Sequence, residues 1–245
     1  MALPKTRLDD YLVQAGFALD KKEAQALIMS GEVRLKGNPA KASDLVRDIA
    51  DVQWRAKPPF VSRGGEKLRG ALAHFQLSLR DAICLDIGSS TGGFTECLLQ
   101  AGAREVYALD VGEGLLDAAL RADPRVHVME GVNFRHMDVA PLQRVPFGLV
   151  VIDVSFITLA HILPNVAAAA PRAPVLALIK PQFEGTSKEV PGGFVKDEPT
   201  RQTIIARVQA QIQELGFALQ GLCDSPIKGR KGNQETFALL KYQVL

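Results

Sequence analysis

Cysteine is scarce in this chain, and the scarcity excludes much. Three cysteines, Cys84, Cys97 and Cys223, stand among 245 residues. They are too few and too scattered for a disulfide framework or a cysteine-built zinc site. A reducing, cytoplasmic setting is therefore expected. The four histidines, His74, His127, His136 and His161, show no metal-ligand spacing, so no metal is expected. No apolar run approaches 18 residues, so no membrane-spanning helix is expected. The opening MALPKTRLDDYL lacks the basic-then-apolar order of a secretion signal. No internal repeat or low-complexity segment stands out. A strong net charge is missing too: at +2, the whole chain does not announce a polyanionic partner. A composition 47% hydrophobic and 23% charged fits a soluble globular protein and argues against disorder.

What is present is unevenly spread. Residues 1–80 carry 14 Lys/Arg against 9 Asp/Glu, and residues 81–245 carry 15 against 18. The front is mildly basic and the back mildly acidic, a hint of nucleic-acid contact through the front. In TRLDDYLVQAGFALDKKEAQALIMSGEVRL, Thr6 can cap a helix whose Leu8, Tyr11, Leu12 and Ala15 share a face, with Gly16 at its end. Asp20 can cap a second, with Ala24, Leu27 and Ile28 inward and Gly31 closing it. A short strand, VRL, and a turn at KGN follow. Arg7, Lys21, Lys22, Arg34, Lys36 and Lys41 gather in this segment. Most such lysines simply face water. The prolines and glycines of RAKPPFVSRGG mark a domain boundary, giving 1–57, a linker at 58–63, and 64–245.

The stretch AICLDIGSSTGGFTECLLQAGAREVYALDVG is the most informative. Ile83 to Ile87 reads as a buried strand, GSSTGG as a loop of small residues, and GGFTECLLQAG as a helix closed by Gly102. EVYALD is the next strand and ends in Asp110, 24 residues after Asp86. Strand, glycine loop, helix, strand and acid follow the logic of a nucleoside-binding crossover, in which an acid takes ribose hydroxyls. The glycines Gly88, Gly92 and Gly93 are not spaced as in a dinucleotide fingerprint. Asp86 at the strand end would repel a pyrophosphate and suit a cationic ligand with an amino group. S-adenosylmethionine fits that better than a nicotinamide dinucleotide. The candidate donor residues are Asp86, Gly88, Ser89, Ser90, Thr91, Gly92, Gly93, Phe94, Asp110 and Val111, with Glu130, Asn133 and Asp153 from later strand ends.

RVHVMEG, FGLVVID and VLALIK read as further buried strands, with a helix at roughly 157–169, a long amphipathic helix after Thr200, and a last strand in ETFALLKYQV. Parallel strands alternating with helices make an α/β, doubly wound, Rossmann-like sheet, here behind a small α+β module. Ligands bind at the carboxyl edge of such sheets. Lys180 follows the apolar run Val175–Ile179, and Pro181 stops the strand there. Asp153, Lys180 and the residues near Glu235 should therefore face one crevice, with Lys67 reaching it from a helix in SRGGEKL. SPIKGRKGN, carrying Lys228, Arg230 and Lys231, is a candidate phosphate clamp.

Three resemblances sharpen this. The N-terminal segment resembles the S4-type RNA-binding module, which assigns RNA contact to Arg7, Lys21, Lys22, Arg34 and Lys36, with Arg63, Lys228, Arg230 and Lys231 beyond it. The four residues in SRGGEKL, VIDVSF, LIKPQFE and GNQETF resemble the Lys-Asp-Lys-Glu tetrad of FtsJ-type ribose 2′-O-methyltransferases. In combination the chain resembles the TlyA family, ribosomal RNA 2′-O-methyltransferases that also bear the name haemolysin. The resemblance implies S-adenosylmethionine as cofactor, ribosomal RNA or ribosomal subunits as partner, and Lys67, Asp153, Lys180 and Glu235 as catalytic residues, with Lys180 the base. A lysine in water is protonated at neutral pH, and burial or a second ammonium makes it a better base.

Other classes remain to be weighed. A membrane-active haemolysin would need an inserting segment. A non-catalytic, S-adenosylmethionine-binding RNA or ribosome assembly factor would not need the tetrad. A small-molecule methyltransferase would not need the N-terminal module. Cys84, Cys97 and Cys223 fall on strands and a helix, where packing explains them better than catalysis.

Overall fold

The computed structural model describes residues 6–14, 17–18, 20–46, 51–55, 59–229 and 232–243. The chain divides into two compact units, residues 1–58 and 59–245.

In the first unit, β1 (Thr6–Arg7) leads into α1 (Leu8–Gln14), α2 (Lys21–Met29), β2 (Val33–Leu35), β3 (Asn38–Pro39), β4 (Leu45–Val46) and β5 (Val52–Trp54). Leu8 and Leu12 of α1 and Ala24 and Ile28 of α2 are buried together with Val33, Val46 and Val52. Asp20 caps α2, its Oδ1 accepting the amide of Glu23 at 2.8 Å. Gly31 follows the helix at φ +77°. Thr6 is not a helix cap. It pairs with Val46 in a two-stranded ladder, and α1 starts at Leu8. The pairing holds Thr6 in extended backbone, and the amide of Leu8 goes on to the Asp44 carbonyl at 2.7 Å. Ala15 and Gly16, expected at the end of this helix, lie outside the described residues.

The second unit contains α3 (Arg63–His74), β6 (Ile83–Ile87), α4 (Gly93–Gln100), β7 (Glu105–Leu109), α5 (Ala118–Ala122), β8 (Val126–Met129), β9 (Phe147–Ile152), α6 (Leu163–Ala169), β10 (Pro174–Ile179), α7 (Pro181–Glu184), α8 (Glu198–Glu214), β11 (Phe217–Asp224) and β12 (Thr236–Tyr242). The seven strands form one sheet in the order β11-β12-β10-β9-β6-β7-β8. Alternation along the central strands feeds two cores. Leu85, Ile87, Val150 and Ile152 pack with Leu163 and Val166 of α6 and Ile204, Ile205 and Val208 of α8. Cys84, Leu149 and Val151 face the other way, against Leu68 and Ala71 of α3 and Cys97 and Leu98 of α4. Two covered faces explain strands that are apolar throughout. The helix expected at 157–169 is divided: a 3₁₀ turn at Leu159–His161 precedes α6, whose first turn holds Pro164. Proline lacks the amide that a helix interior needs, so the α-helix starts beside it.

The doubly wound sheet is parallel except at its last strand. β12 runs antiparallel to both β10 and β11. No α-helix separates β11 from β12 among the described residues, and without a crossover helix consecutive strands pair antiparallel. This reversal has a consequence for the site. Ile179 is in register with Thr236, so the amino end of β12 meets the carboxyl end of β10. Glu235, one residue before β12, is thereby brought beside Lys180.

Candidate active site

The carboxyl edge of the sheet carries two adjoining cavities. One, roughly 610 Å³, is lined by Lys67, Asp153, Lys180 and Glu235, with Arg63, Ser155, Gln182 and Phe183 around them. The other, roughly 400 Å³, lies under the loop after β6 and between the ends of β7 and β9. They share Gly88, Ser90, Asp153, Ser155 and Phe156.

The four charged residues form two ion pairs. Lys67 Nζ donates to Glu235 Oε2 at 2.6 Å, and both side chains are buried. Lys180 Nζ lies 2.6 Å from Asp153 Oδ1. That contact is an ion pair off the axis of a hydrogen bond, since Oδ1 has no directed donor. Lys180 instead donates to Ser155 Oγ at 3.0 Å. Each position follows from the fold. Asp153 and Lys180 come one residue after β9 and β10, whose cores are buried. Lys67 sits on the face of α3 that also buries Leu68 and Ala71. Glu235 is walled by the backbone of Gly229, where an added Cβ would collide with its carboxylate.

The glycine-rich loop is tightly wound. Gly88 takes φ +89°, and a Cβ there would lie 2.7 Å from the Asp153 carbonyl oxygen. Only glycine lets the β6 loop and the end of β9 approach this closely. Asp110 Oδ2 accepts the amide of Ser90 and Oδ1 that of Gly112, both at 2.8 Å, so it ties the loops after β6 and β7 together. Asp110, Val111 and Asn133 line the smaller cavity with apolar Leu109, Val132, Phe134 and Ile162.

The other residues expected to bind the donor line the lysine cavity or neither cavity. Ser89, Thr91, Gly93 and Phe94 line the lysine cavity and not the smaller one. Phe94 is a core ring stacked on Phe237. Asp86, Gly92 and Glu130 line neither. Asp86 is fully buried on the α4 side of β6, accepts from Thr95 Oγ1 at 2.6 Å, and is pushed up to about 7 by burial. Gly92 packs toward Leu116 and Leu120. Glu130 is engaged by Arg121 and by the amides of Gly114, Leu115 and Leu116, and these donors, Arg121 foremost, hold its carboxyl down at about 2. It orders the loop before α5.

The basic residues are distributed as follows. Arg7 is bidentate to Asp9, Lys21 pairs with Asp10, Lys36 pairs with Asp51, and Arg34 donates to the Gly37 carbonyl. Lys22, Arg63 and Lys228 are exposed, and Arg63 stands at the lysine cavity. Arg230 and Lys231 lie outside the described residues. Burial pushes the thiols of Cys84 and Cys97 up to about 12, so neither is a nucleophile. No helix of the described residues is long and apolar enough to cross a membrane.

Sequence reasoning missed Ser155, Phe156, Gln182 and Phe183. Phe156 is 88% exposed, lies 4.8 Å from the Phe183 ring, and takes φ +64°. A bulky residue in the left-handed region is strained and marks a constrained turn. Its signal in the sequence was only its place three residues beyond Asp153.

A sheet of this order with one reversed strand, and a cleft at its carboxyl edge, defines a Rossmann-like methyltransferase. The description FtsJ-like methyltransferase matches residues 60–242, and S4 domain matches residues 6–52. The chain belongs to the FtsJ-like methyltransferase family, within the TlyA group that adds an S4 domain. It is 43% identical to the 16S/23S rRNA (cytidine-2′-O)-methyltransferase TlyA of Mycobacterium tuberculosis, over 98% of this chain and 91% of that one. It is 37% identical to Hemolysin A of Brachyspira hyodysenteriae, over 95% and 98% respectively. A solved Streptococcus thermophilus chain, a hemolysin candidate, superposes with TM-score 0.75 at 38% identity, covering 99% of this chain and 90% of that chain.

Proposed function

We propose that this chain moves a methyl group from S-adenosylmethionine to the 2′-hydroxyl of a cytidine ribose in ribosomal RNA. One observation carries the reading: Lys67, Asp153, Lys180 and Glu235 meet in a cavity that shares a wall with the cleft under the glycine-rich loop. The activity named for the M. tuberculosis relative supports the substrate. In this reading residues 1–57 hold RNA, 58–63 join, and 64–245 carry the chemistry.

The smaller cavity suits the donor. Its apolar wall fits a flat adenine, and Asp110 offers acceptor lone pairs to ribose hydroxyls. When bound, the donor supplies a methyl on a positively charged sulfur. Lys180, after releasing its own proton to solvent, takes the hydroxyl proton on the freed amine, and Asp153 then holds the ammonium formed again. Lys67, fixed by Glu235, faces the negative charge that develops on the attacking oxygen. Much of the acceleration comes from holding hydroxyl and methyl in line. Phe156, exposed at the mouth of both cavities, gives a base a face to stack on.

Replacing Asp110 by alanine should weaken donor binding by about 1–3 kcal/mol, the scale of a lost hydrogen bond to a charged group. Asp110→Asn, which keeps one acceptor, should lose less. Unchanged affinity by calorimetry in a folded Asp110→Ala chain would reject the assignment.

The test of function is methyl transfer to purified ribosomal RNA, read as 2′-O-methyl ribose. Absence of ribose methylation rejects the reading. A chain beginning at Pro59 should still bind the donor but lose the steep salt dependence of RNA affinity that phosphate contacts give. Equal RNA affinity at equal salt would show that the first unit has another role.

A further inference from the structure

Gln182 stands against Glu235 and carries an atom with nothing to bind. Its Nε2 donates to Glu235 Oε1 at 2.8 Å. A carboxylate only accepts, so this contact fixes which way the amide points. The other end, Oε1, is buried and has no hydrogen-bond partner. Gln182 lines the cavity that holds Lys67 and Lys180. An unmet buried acceptor is costly, and a ligand that brings a donor removes the cost.

The chemistry of the substrate limits the donor. A cytidine within an RNA chain has its 3′ and 5′ oxygens in phosphodiester bonds. Its hydrogen-bond donors are then the 2′-hydroxyl and the N4 amino group. The hydroxyl has one proton, and in the reading above that proton goes to Lys180. Of the cytidine's own donors, only the amino group remains. We infer that Gln182 is a base-reading residue, whose Oε1 accepts a hydrogen bond from N4 of the target cytosine. This rests on the proposed ribose methylation of cytidine. Uridine would set its O4, an acceptor, against Oε1. Glu235 prevents the amide from turning to offer its NH₂ instead. The same carboxylate that holds Lys67 thereby orients the residue that selects the base.

The experiment compares RNA fragments carrying the target nucleotide as cytidine, as uridine, and as the pyrimidin-2-one riboside, which lacks the amino group. Single-turnover methyl transfer is measured with the full chain and with Gln182→Met. The wild-type chain should prefer cytidine over both analogues by about 10- to 100-fold, the effect of stranding one buried polar group. Gln182→Met should be slower on cytidine and should no longer distinguish cytidine from the pyrimidin-2-one. Equal wild-type rates on cytidine and pyrimidin-2-one overturn the inference without any variant. Discrimination that survives in Gln182→Met also overturns it. Cytidine methylated at full rate in either case leaves the ribose-methyltransferase reading standing. A wild-type chain that methylates none of the three defeats both.

Discussion

Lys180→Arg is expected to slow single-turnover methyl transfer by about two or more orders of magnitude, the scale of a lost general base, with donor and RNA binding retained. Lys180 is 8% exposed, paired with Asp153 at 2.6 Å and hydrogen-bonded to Ser155 Oγ at 3.0 Å. Arginine keeps the charge and the ion pair, but a guanidinium does not release its proton near neutral pH. The variant therefore separates two roles that lysine combines. If Lys180 only steadied charge, arginine would serve nearly as well. Lys180→Ala should fail like Lys180→Arg, whereas Ser155→Ala should cost much less, since Asp153 still holds the ammonium. The measurement is methyl transfer to ribosomal RNA with both substrates saturating. A Lys180→Arg chain running near the wild-type rate would make Lys180 an electrostatic residue and leave the base unassigned.

Some of this was legible in the sequence, for a physical reason. Asp153 and Lys180 each end a run of residues buried on both faces, and a charge in that position is conspicuous. The glycine loop was legible because Gly88 is required by the backbone itself. Other features depend on contacts that no local pattern encodes. Glu235 could be placed near Lys180, but the reason is the reversal of β12, which follows from an absent crossover helix. Gln182 looked like any polar residue after a strand, and its importance comes from which side of its amide Glu235 claims. Glu130 ends a strand as a ligand-binding acid would, yet three amides and Arg121 consume it. Asp86 has the strand-end position of a ligand-binding acid, and the pleat of β6 turns it toward Thr95 of α4. Thr6 had the right chemistry for a cap and was taken by a ladder with Val46 instead.

Removing Glu235 should damage the fold as well as the reaction. Glu235 is 2% exposed, and its carboxylate meets Lys67 at 2.6 Å and Gln182 at 2.8 Å. Glu235→Ala leaves the Lys67 ammonium and the Gln182 amide without their acceptor. Breaking a buried pair on one side costs about 3–5 kcal/mol. The lower end is expected, because Lys67 keeps 11% side-chain exposure and borders a cavity that water can enter. Denaturant unfolding should show the loss, and methyl transfer should fall with it. Those two effects can be parted. Lys67→Met combined with Glu235→Leu removes both charges and fills the space, so stability should return toward wild type. Methylation should not return, because Gln182 loses its orienting partner and the ribose oxygen loses its nearby cation. A double variant that is both stable and active would show that this pair holds the cavity together and takes no part in the chemistry.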